Sequence, residues 1–529
     1  MLVMSAPPRP PRSTPPPGGA APPTIMDLAT TLGAEVLGAE VPGGSPTAST
    51  AVTGVEQDSR RVRPGDLFVA LRGGQVDGVR FAPAAVERGA VAVLAERAAS
   101  PPEVDVPVLV VDAARPALAR AAAEVHGRPT EAVTVIGITG TNGKTTCSHL
   151  VEQCLKGVAQ VPGIVGTLGY RGGGASGPLI HTSPEADELQ RVARTLVDRG
   201  VTHLVMEVSS IALAADRVRE VAFDVVAFTN LTQDHLDWHG SMEAYAAAKE
   251  QLFFDYGART AVVVVDQPFG VGLADRLTKS GHVRVIRVSS DAASPADVHA
   301  ASRRLTLSGL QLEVSVAGST MVMTAPLPGE HNVQNVLCAT AIAHALGLDP
   351  AGALAALATV PQVPGRLELV SSSDDDIAGL VDYAHTPDAL ERLLAAVRPH
   401  VDGRLWCVFG CGGDRDATKR GPMGRAVARG ADVAVVTNDN PRSEEPTAIA
   451  DAIVAGLVDA GSDDHHVELD RARAIELAVT EAEPGDAVVV AGKGHETYQI
   501  IGETVASFDD RVALREALAL RRERREQAR

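Results

Sequence analysis

Gly137-Ile138-Thr139-Gly140-Thr141-Asn142-Gly143-Lys144-Thr145-Thr146 is the stretch whose reading decides the fold. It prolongs the apolar run VTVIGIT of residues 133–139 and leads into a helical segment. A strand, a glycine-rich loop and a helix in that order let backbone N–H groups converge on phosphate oxygens. Lys144 is then the cation for the β- and γ-phosphates and Thr145 the hydroxyl for Mg²⁺. Gly140 and Gly143 allow backbone angles and a close phosphate approach that a Cβ would block. Thr141, Asn142 and Thr146 complete an ATP-binding loop. Ile138 stands where the common phosphate-loop pattern has its first glycine.

Outward from this loop, the chain reads as α/β throughout. A chain of 529 residues suggests three or four domains, and 45% hydrophobic content can give each a core. Residues 1–24 are proline-rich, cannot bury a core and read as a disordered tail. Residues 25–130 contain short Val-rich strands (VTGVEQDSRRV, DLFVAL, AVAVLAE, VPVLVV) and an Ala-rich helical stretch from Pro116 to His126, one small α/β domain. Residues 131–360 add buried-strand runs at THLVMEV, FDVVAFT and TAVVVVD, a parallel-sheet domain. Inside it LTLSGLQLEVSVAGSTMVMTA alternates apolar and polar residues around Gly-centred turns, an antiparallel excursion before the helix HNVQNVLCATAIAHAL. In residues 361–529 the runs IAGLVDYA, RLWCVFGC, ADVAVVTN and DAVVVAG alternate with helical segments, as in a doubly wound sheet.

Composition excludes several classes. The formal net charge of −18 opposes non-specific capture of nucleic acid, so anionic ligands have to be held by local features. The five cysteines, Cys147, Cys154, Cys338, Cys407 and Cys411, are scattered and form no C-x-x-C pair, which indicates neither a disulfide framework nor a structural zinc site. No secretory h-region or ~20-residue apolar span is present. A cytoplasmic protein is expected.

The form TGTNGKTT resembles the Mur ligases and their relative folylpolyglutamate synthetase, which activate a carboxylate with ATP and couple it to an amine. Further motifs extend the resemblance over nearly all of residues 25–529. It implies a three-domain architecture: an N-terminal uridine-binding domain, a central ATP-binding domain and a C-terminal Rossmann-like amino-acid-binding domain. MEVSS and the segment from Thr229 to Phe253 resemble those that hold Mg²⁺ through a Glu, a His and a carbamylated Lys, which here are Glu207, His235 and Lys249. With Lys144 these are the candidate catalytic residues. A neutral lysine amine traps CO₂, and the resulting carboxylate suits a hard cation. Gln57-Asp58-Ser59-Arg60 is similar to the uridine-contacting segment of the diaminopimelate- and lysine-adding ligases, so Gln57 and Ser59 are assigned to the UDP substrate. HTSPEADELQ and SSIALAADRV add Thr182, Ser183, Ser209 and Arg217 for the muramoyl peptide. Ile211 and Ala215 depart from the His and Gln that relatives carry there.

In the last domain VPGRLELV, VDYAHTPDAL, FGCGGDRD, NDNPRSEEP and AGKGHETYQ each follow a strand, where ligand crevices open. By the same resemblance, Asn332, Asn335, Arg366 and Asp382 hold ATP from this side. Arg415, Asp439-Asn440-Pro441-Arg442, Gly492 and Glu496 take the incoming amino acid. The second amino-acid head of meso-diaminopimelate has a carboxylate that suits a guanidinium and an ammonium that suits a carboxylate. The resemblance therefore implies an ATP-dependent ligase that adds meso-diaminopimelate to UDP-N-acetylmuramoyl-L-alanyl-D-glutamate, with Mg²⁺ and small-molecule substrates; a monomer is expected, although the sequence itself does not give the oligomeric state. A lysine-adding ligase, a folylpolyglutamate synthetase-like ligase and a non-catalytic ATP-binding scaffold are the alternatives.

Overall fold

Alternate residues of the strand Leu405–Phe409 feed two different cores. Leu405, Cys407 and Phe409 pack with Leu390, Met423 and Ile453 on one face, while Trp406 and Val408 pack with Ile475 and Leu514 on the other. A sheet covered on both faces needs apolar side chains at successive positions, which is why RLWCVFGC reads as a continuous run. The computed structural model describes residues 21–38, 47–73, 76–462 and 464–527, apart from the Asp237 side chain. Most of the proline-rich segment of residues 1–24 therefore lies outside the described residues. Thr24 lies inside them and caps the helix Ile25–Leu32 through a reciprocal bond with Asp27.

The chain divides into two compact units. The first comprises Met1–Ser289, Ser294–Val298 and Cys338–Ala353 and carries two sheets. Its smaller sheet runs Glu35–Leu37, Val108–Val111, Ala92–Glu96, Asp66–Val69, Gly54–Glu56, parallel except for the first strand. In its larger sheet Arg284–Ser289, Thr260–Val264, Val225–Phe228, Thr134–Thr139, His203–Glu207 and Pro162–Gly166 lie parallel in that order. Gly169–Gly172 and Ala175–Gly177 continue it antiparallel. Thr134–Thr139 is central, and the register sets Ile138 opposite Glu207 and Thr139 opposite Phe228. Three strands thus end side by side, the position where open α/β sheets bind ligands.

The second unit comprises Ser290–Ala293, His299–Leu337 and Leu354–Arg529. Gly309–Val316 and Ser319–Ala325 pair antiparallel, the excursion expected from the alternation. Its main sheet runs Glu368–Leu369, Ala378–Asp382, Ala487–Ala491, Leu405–Phe409, Val433–Val436, His465–Val467, parallel after the first strand. A separate hairpin joins Tyr498–Ile501 to Thr504–Ser507. Among the described residues no helix is long and apolar enough to cross a membrane.

Candidate active site

The loop after Thr139 closes on the N-terminus of the helix Lys144–Gly157. Gly143 caps that helix at φ +86 and, having no side chain, makes no side-chain cap bond, so the helix N-terminus meets the loop with backbone N–H groups. Gly140 has φ +148, and a Cβ there would come within 1.9 Å of Thr229 Oγ1. Thr229 and Asn230 brace the loop from the neighbouring strand end: Thr229 donates to the Asn142 carbonyl at 2.6 Å, and the Asn142 amide donates to Asn230 Oδ1 at 2.9 Å. Lys144 Nζ folds back on the carbonyls of Gly140 and Thr141, each at 2.9 Å.

Beside the loop, Thr145 Oγ1 donates to Glu207 Oε2 at 2.9 Å. The Thr167 amide and hydroxyl also donate to Glu207, which is 1% exposed. Lys249, 2% exposed on the helix Met242–Phe254, donates to the Gly140 carbonyl at 2.9 Å and lies 4.4 Å from the Tyr245 ring centre. Burial pushes its amine well below the usual lysine range, and the nearby Lys144 charge adds to this against a weaker opposing pull from Asp234. That amine is the reactive neutral form over more of the pH scale than an exposed lysine. His235 caps the short helix Leu236–His239 at φ +52, with Nε2 3.5 Å from Asp234 and its ring edge-on to Tyr245. Tyr245 thus touches both Lys249 and His235, and its hydroxyl shares a hydrogen with Thr141 at 3.1 Å. Among the described residues no group of three or more His, Cys, Asp or Glu is placed to hold a metal ion by itself.

The peptide-loop residues meet on the same unit. Buried Ser183 donates to the Glu207 carbonyl at 2.9 Å and accepts from the Ser209 amide at 3.0 Å, while Thr182 and Thr167 share a hydrogen at 3.1 Å. Arg217 donates to the Ser183 carbonyl and pairs with Glu185 at 2.8 Å. His239 reaches Ser210 at 3.0 Å, on the short helix that also carries Ile211. Gln57 and Ser59 line a cleft of about 640 Å³ together with Arg60, Phe81 and His181. The Gln57 amide donates to Asp187 at 3.2 Å. Burial, then the Glu56 carboxyl, push Asp187 up to about 7.

In the second unit Asp439 and Asn440 are buried just after the strand Val433–Val436. Arg442, at φ +52, exchanges backbone bonds with Ile500 and Gly502 and donates from its guanidinium to the Gly413 carbonyl at 2.7 Å. The loop bearing exposed Arg415 is pinned at Asp414, which accepts from Ser443 and whose amide donates to Glu444. Asn440 donates to Glu496 at 3.2 Å, which ties the residues 439–442 to Gly492 and Glu496. Arg366 stacks 4.6 Å from the Tyr383 ring centre with its Nε unpaired. Both Asp382 oxygens accept backbone amides, from Leu367 and Ala384. Asn332 and Asn335 are buried and bonded to each other at 2.9 Å.

Sequence reasoning missed Tyr245, Thr167, Asp187 and Lys493. Tyr245 precedes Lys249 by one helical turn, a spacing that could have revealed it. Lys493, between Gly492 and Gly494, is 0% exposed and donates to Asp439, Asn440 and Glu496. Its chain position gave no sign of that burial, because lysine is ordinarily a surface residue.

Three family models match the chain: the Mur ligase family, catalytic domain, at residues 51–126; the Mur ligase middle domain at 138–343; and the Mur ligase, glutamate ligase domain at 365–494. A UDP-N-acetylmuramoyl-L-alanyl-D-glutamate--2,6-diaminopimelate ligase of Gloeobacter violaceus is 47% identical over 475 residues, covering 89% of this chain and 95% of the relative. A solved structure of a ligase with that same name is 31% identical at a TM-score of 0.64, covering 91% of this chain and 97% of its own. The MurF ligase of Thermotoga maritima, in complex with ADP, shares the fold at a TM-score of 0.62 with 18% identity, over 90% of this chain and 99% of its own.

Proposed function

The chain belongs to the Mur ligase family, and on that premise we propose that it is the ATP-dependent ligase that joins meso-diaminopimelate to UDP-N-acetylmuramoyl-L-alanyl-D-glutamate in peptidoglycan precursor synthesis. The observation that carries the ligase reading is the single sheet end that gathers the phosphate loop, the Thr145–Glu207 pair and the buried Lys249 amine. The D-glutamate side-chain carboxylate attacks the γ-phosphorus of ATP, forming an acyl phosphate and releasing ADP. The diaminopimelate amine then attacks the acyl carbon, forming the amide as phosphate leaves and the amine gives up a proton.

Each group has a role in these steps. Lys144 and the loop amides hold the β- and γ-phosphates and stabilise the charge of the transferred phosphoryl. Thr145 and Glu207 present hard oxygen donors 2.9 Å apart, a set that fits Mg²⁺, with His235 and a carbamylated Lys249 as further ligands. When bound, Mg²⁺ neutralises phosphate charge as it shifts toward ADP. Gln57 and Ser59 bind the uridine diphosphate end, and Thr182, Ser183, Ser209 and Arg217 bind or shape the peptide end. Asn332, Asn335, Arg366 and Asp382 bind or order the nucleotide-binding surface of the second unit. Arg415, Arg442 and the segment from Asp439 read the acceptor, with Gly492 and Glu496. The substrates suit a cytoplasmic enzyme; in this reading it works as a monomer, and residues 25–130, 131–360 and 361–529 serve as its UDP-substrate, ATP and amino-acid domains.

Phosphate release tests the reading. It should require ATP, the UDP-muramoyl dipeptide and diaminopimelate together, and Lys144→Ala should abolish it while leaving the melting temperature unchanged. ATP hydrolysis indifferent to both other substrates would instead support a nucleotide-binding scaffold.

A further inference from the structure

The sequence Gly492-Lys493-Gly494 follows the strand Ala487–Ala491. Gly492 at φ +118 and Gly494 at φ +53 turn the chain through backbone regions that L residues rarely adopt, and between them Lys493 is carried inward to 0% exposure. A buried ammonium is costly unless charges and acceptors surround it. Lys493 Nζ donates to Asn440 Oδ1 at 3.1 Å, Asp439 Oδ1 at 3.2 Å and Glu496 Oε2 at 3.4 Å. The Asn440 amide nitrogen bonds to the same Glu496 oxygen at 3.2 Å, and the Ile500 amide locks Asn440 Oδ1 at 2.9 Å.

Both of these bonds to Glu496 fall on Oε2; among the described residues no hydrogen bond ends on Oε1, and the Glu496 side chain keeps 21% exposure. Two cations, Lys493 and the Arg471 guanidinium that is paired with Asp510 and feels Asp439 and Glu496, face three carboxyl groups here, so one negative charge is left for a further cation. The acceptor amino acid carries one.

We propose that Lys493 is a positioning residue that grips Glu496 through Oε2 and so presents Oε1 to the ammonium on the distal amino-acid head of the acceptor substrate. This rests on the proposed function. It commits the pocket to amino acids bearing a second α-ammonium carboxylate, with the cation read through Lys493 and Glu496 and the anion read by the arginines. Burial pushes the Glu496 carboxyl upward, the Lys493 charge opposes this and Asp439 adds to it, and a ligand ammonium would act in the same direction as Lys493.

The test is steady-state kinetics on Lys493→Met, Lys493→Arg, Glu496→Gln and the double variant Lys493→Met with Glu496→Gln, with melting temperatures alongside. Lys493→Met should raise the KM for diaminopimelate about 10- to 100-fold, while the KM values for ATP and the UDP substrate and the saturated kcat stay within about 3-fold of the unmodified enzyme. Glu496→Gln should do the same, and the double variant should be no worse than the worse single change, since one residue acts through the other. Lys493→Arg, which keeps the charge but moves its nitrogens, should show a smaller rise in the same constant. An unchanged diaminopimelate KM in folded Lys493→Met, fully additive losses in the double variant, or an equal loss for all three substrates in step with melting temperature overturns the proposal. Should Lys493→Met not fold, Lys493→Arg decides: a diaminopimelate KM unchanged or raised only as much as that of ATP overturns it. If the unmodified enzyme accepts a different amino acid and rejects diaminopimelate, the proposed function fails by itself, and the same four variants are assayed with the amino acid it accepts.

Discussion

Lys249 illustrates how a single side chain's surroundings decide its chemistry. Its amine is buried against the Gly140 carbonyl and the Tyr245 ring, and its pKa is driven well below normal, so it is available to react with CO₂. Lys249→Ala should lose at least about 100-fold in turnover, and a short carboxylic acid in the medium should restore part of it by supplying the missing oxygens. Wild-type rates in Lys249→Ala would contradict the carbamate. Asp187 makes a second, pH-dependent case. An unfolded aspartate titrates near ~4, whereas burial and Glu56 hold this one at about 7. The folded chain therefore keeps a proton that the unfolded chain has lost; that stability is complete below pH ~4 and disappears as pH rises through the folded value. Asp187→Asn removes the titration and keeps an acceptor for the Gln57 amide. It should stabilise the protein more at pH 8 than at pH 5, by about 1–3 kcal/mol, as measured by urea unfolding at the two pH values. Equal effects at both would show that Asp187 is ionised throughout.

Among the elements, the phosphate loop was the most legible in the sequence, because Gly140 and Gly143 answer to backbone geometry and Lys144 to phosphate charge. Gly140→Ala should cost about 1–3 kcal/mol of stability and at least ~10-fold in ATP affinity, since its Cβ meets Thr229 Oγ1 at 1.9 Å where φ is +148. Thermal melting and ADP titration read both, and normal values for both would mean that the loop relaxes freely. The strands Leu405–Phe409 and Val433–Val436 were equally plain as long apolar runs, and the pairing of Gly309–Val316 with Ser319–Ala325 was visible in its alternation. Two kinds of element escaped the sequence. The helix Ile25–Leu32 is short and capped by a tail residue, and the edge strand Glu35–Leu37 has only 3 residues, too few to display a period. In the cluster of residues 439, 440, 493 and 496, the resemblance had grouped Asp439, Asn440 and Glu496, and Lys493 alone escaped, because local pattern does not encode that a lysine between two glycines is carried inward onto them.

For the whole molecule, the proposed reaction requires the acceptor to be read as a zwitterion at its distal end. Asp439, Asn440, Glu496 and Lys493 form one hydrogen-bonded group, and Arg442 is held beside it by Gly413 and Ile500. Lysine lacks the distal carboxylate, so its binding leaves a guanidinium unpaired, which costs more than the lost contact alone. Arg442→Ala should lose diaminopimelate efficiency far more than ATP affinity, with little gain for lysine, because removing a mismatch does not build a lysine site. The most direct measurement is the pair of specificity constants, kcat/KM, of the unmodified enzyme for meso-diaminopimelate and for lysine at saturating ATP and UDP-muramoyl dipeptide. The predicted result favours diaminopimelate by a factor of roughly 30 to 1,000, equivalent to about 2–4 kcal/mol for one charge-assisted bidentate pair. Equal constants, or a preference for lysine, would contradict the assignment.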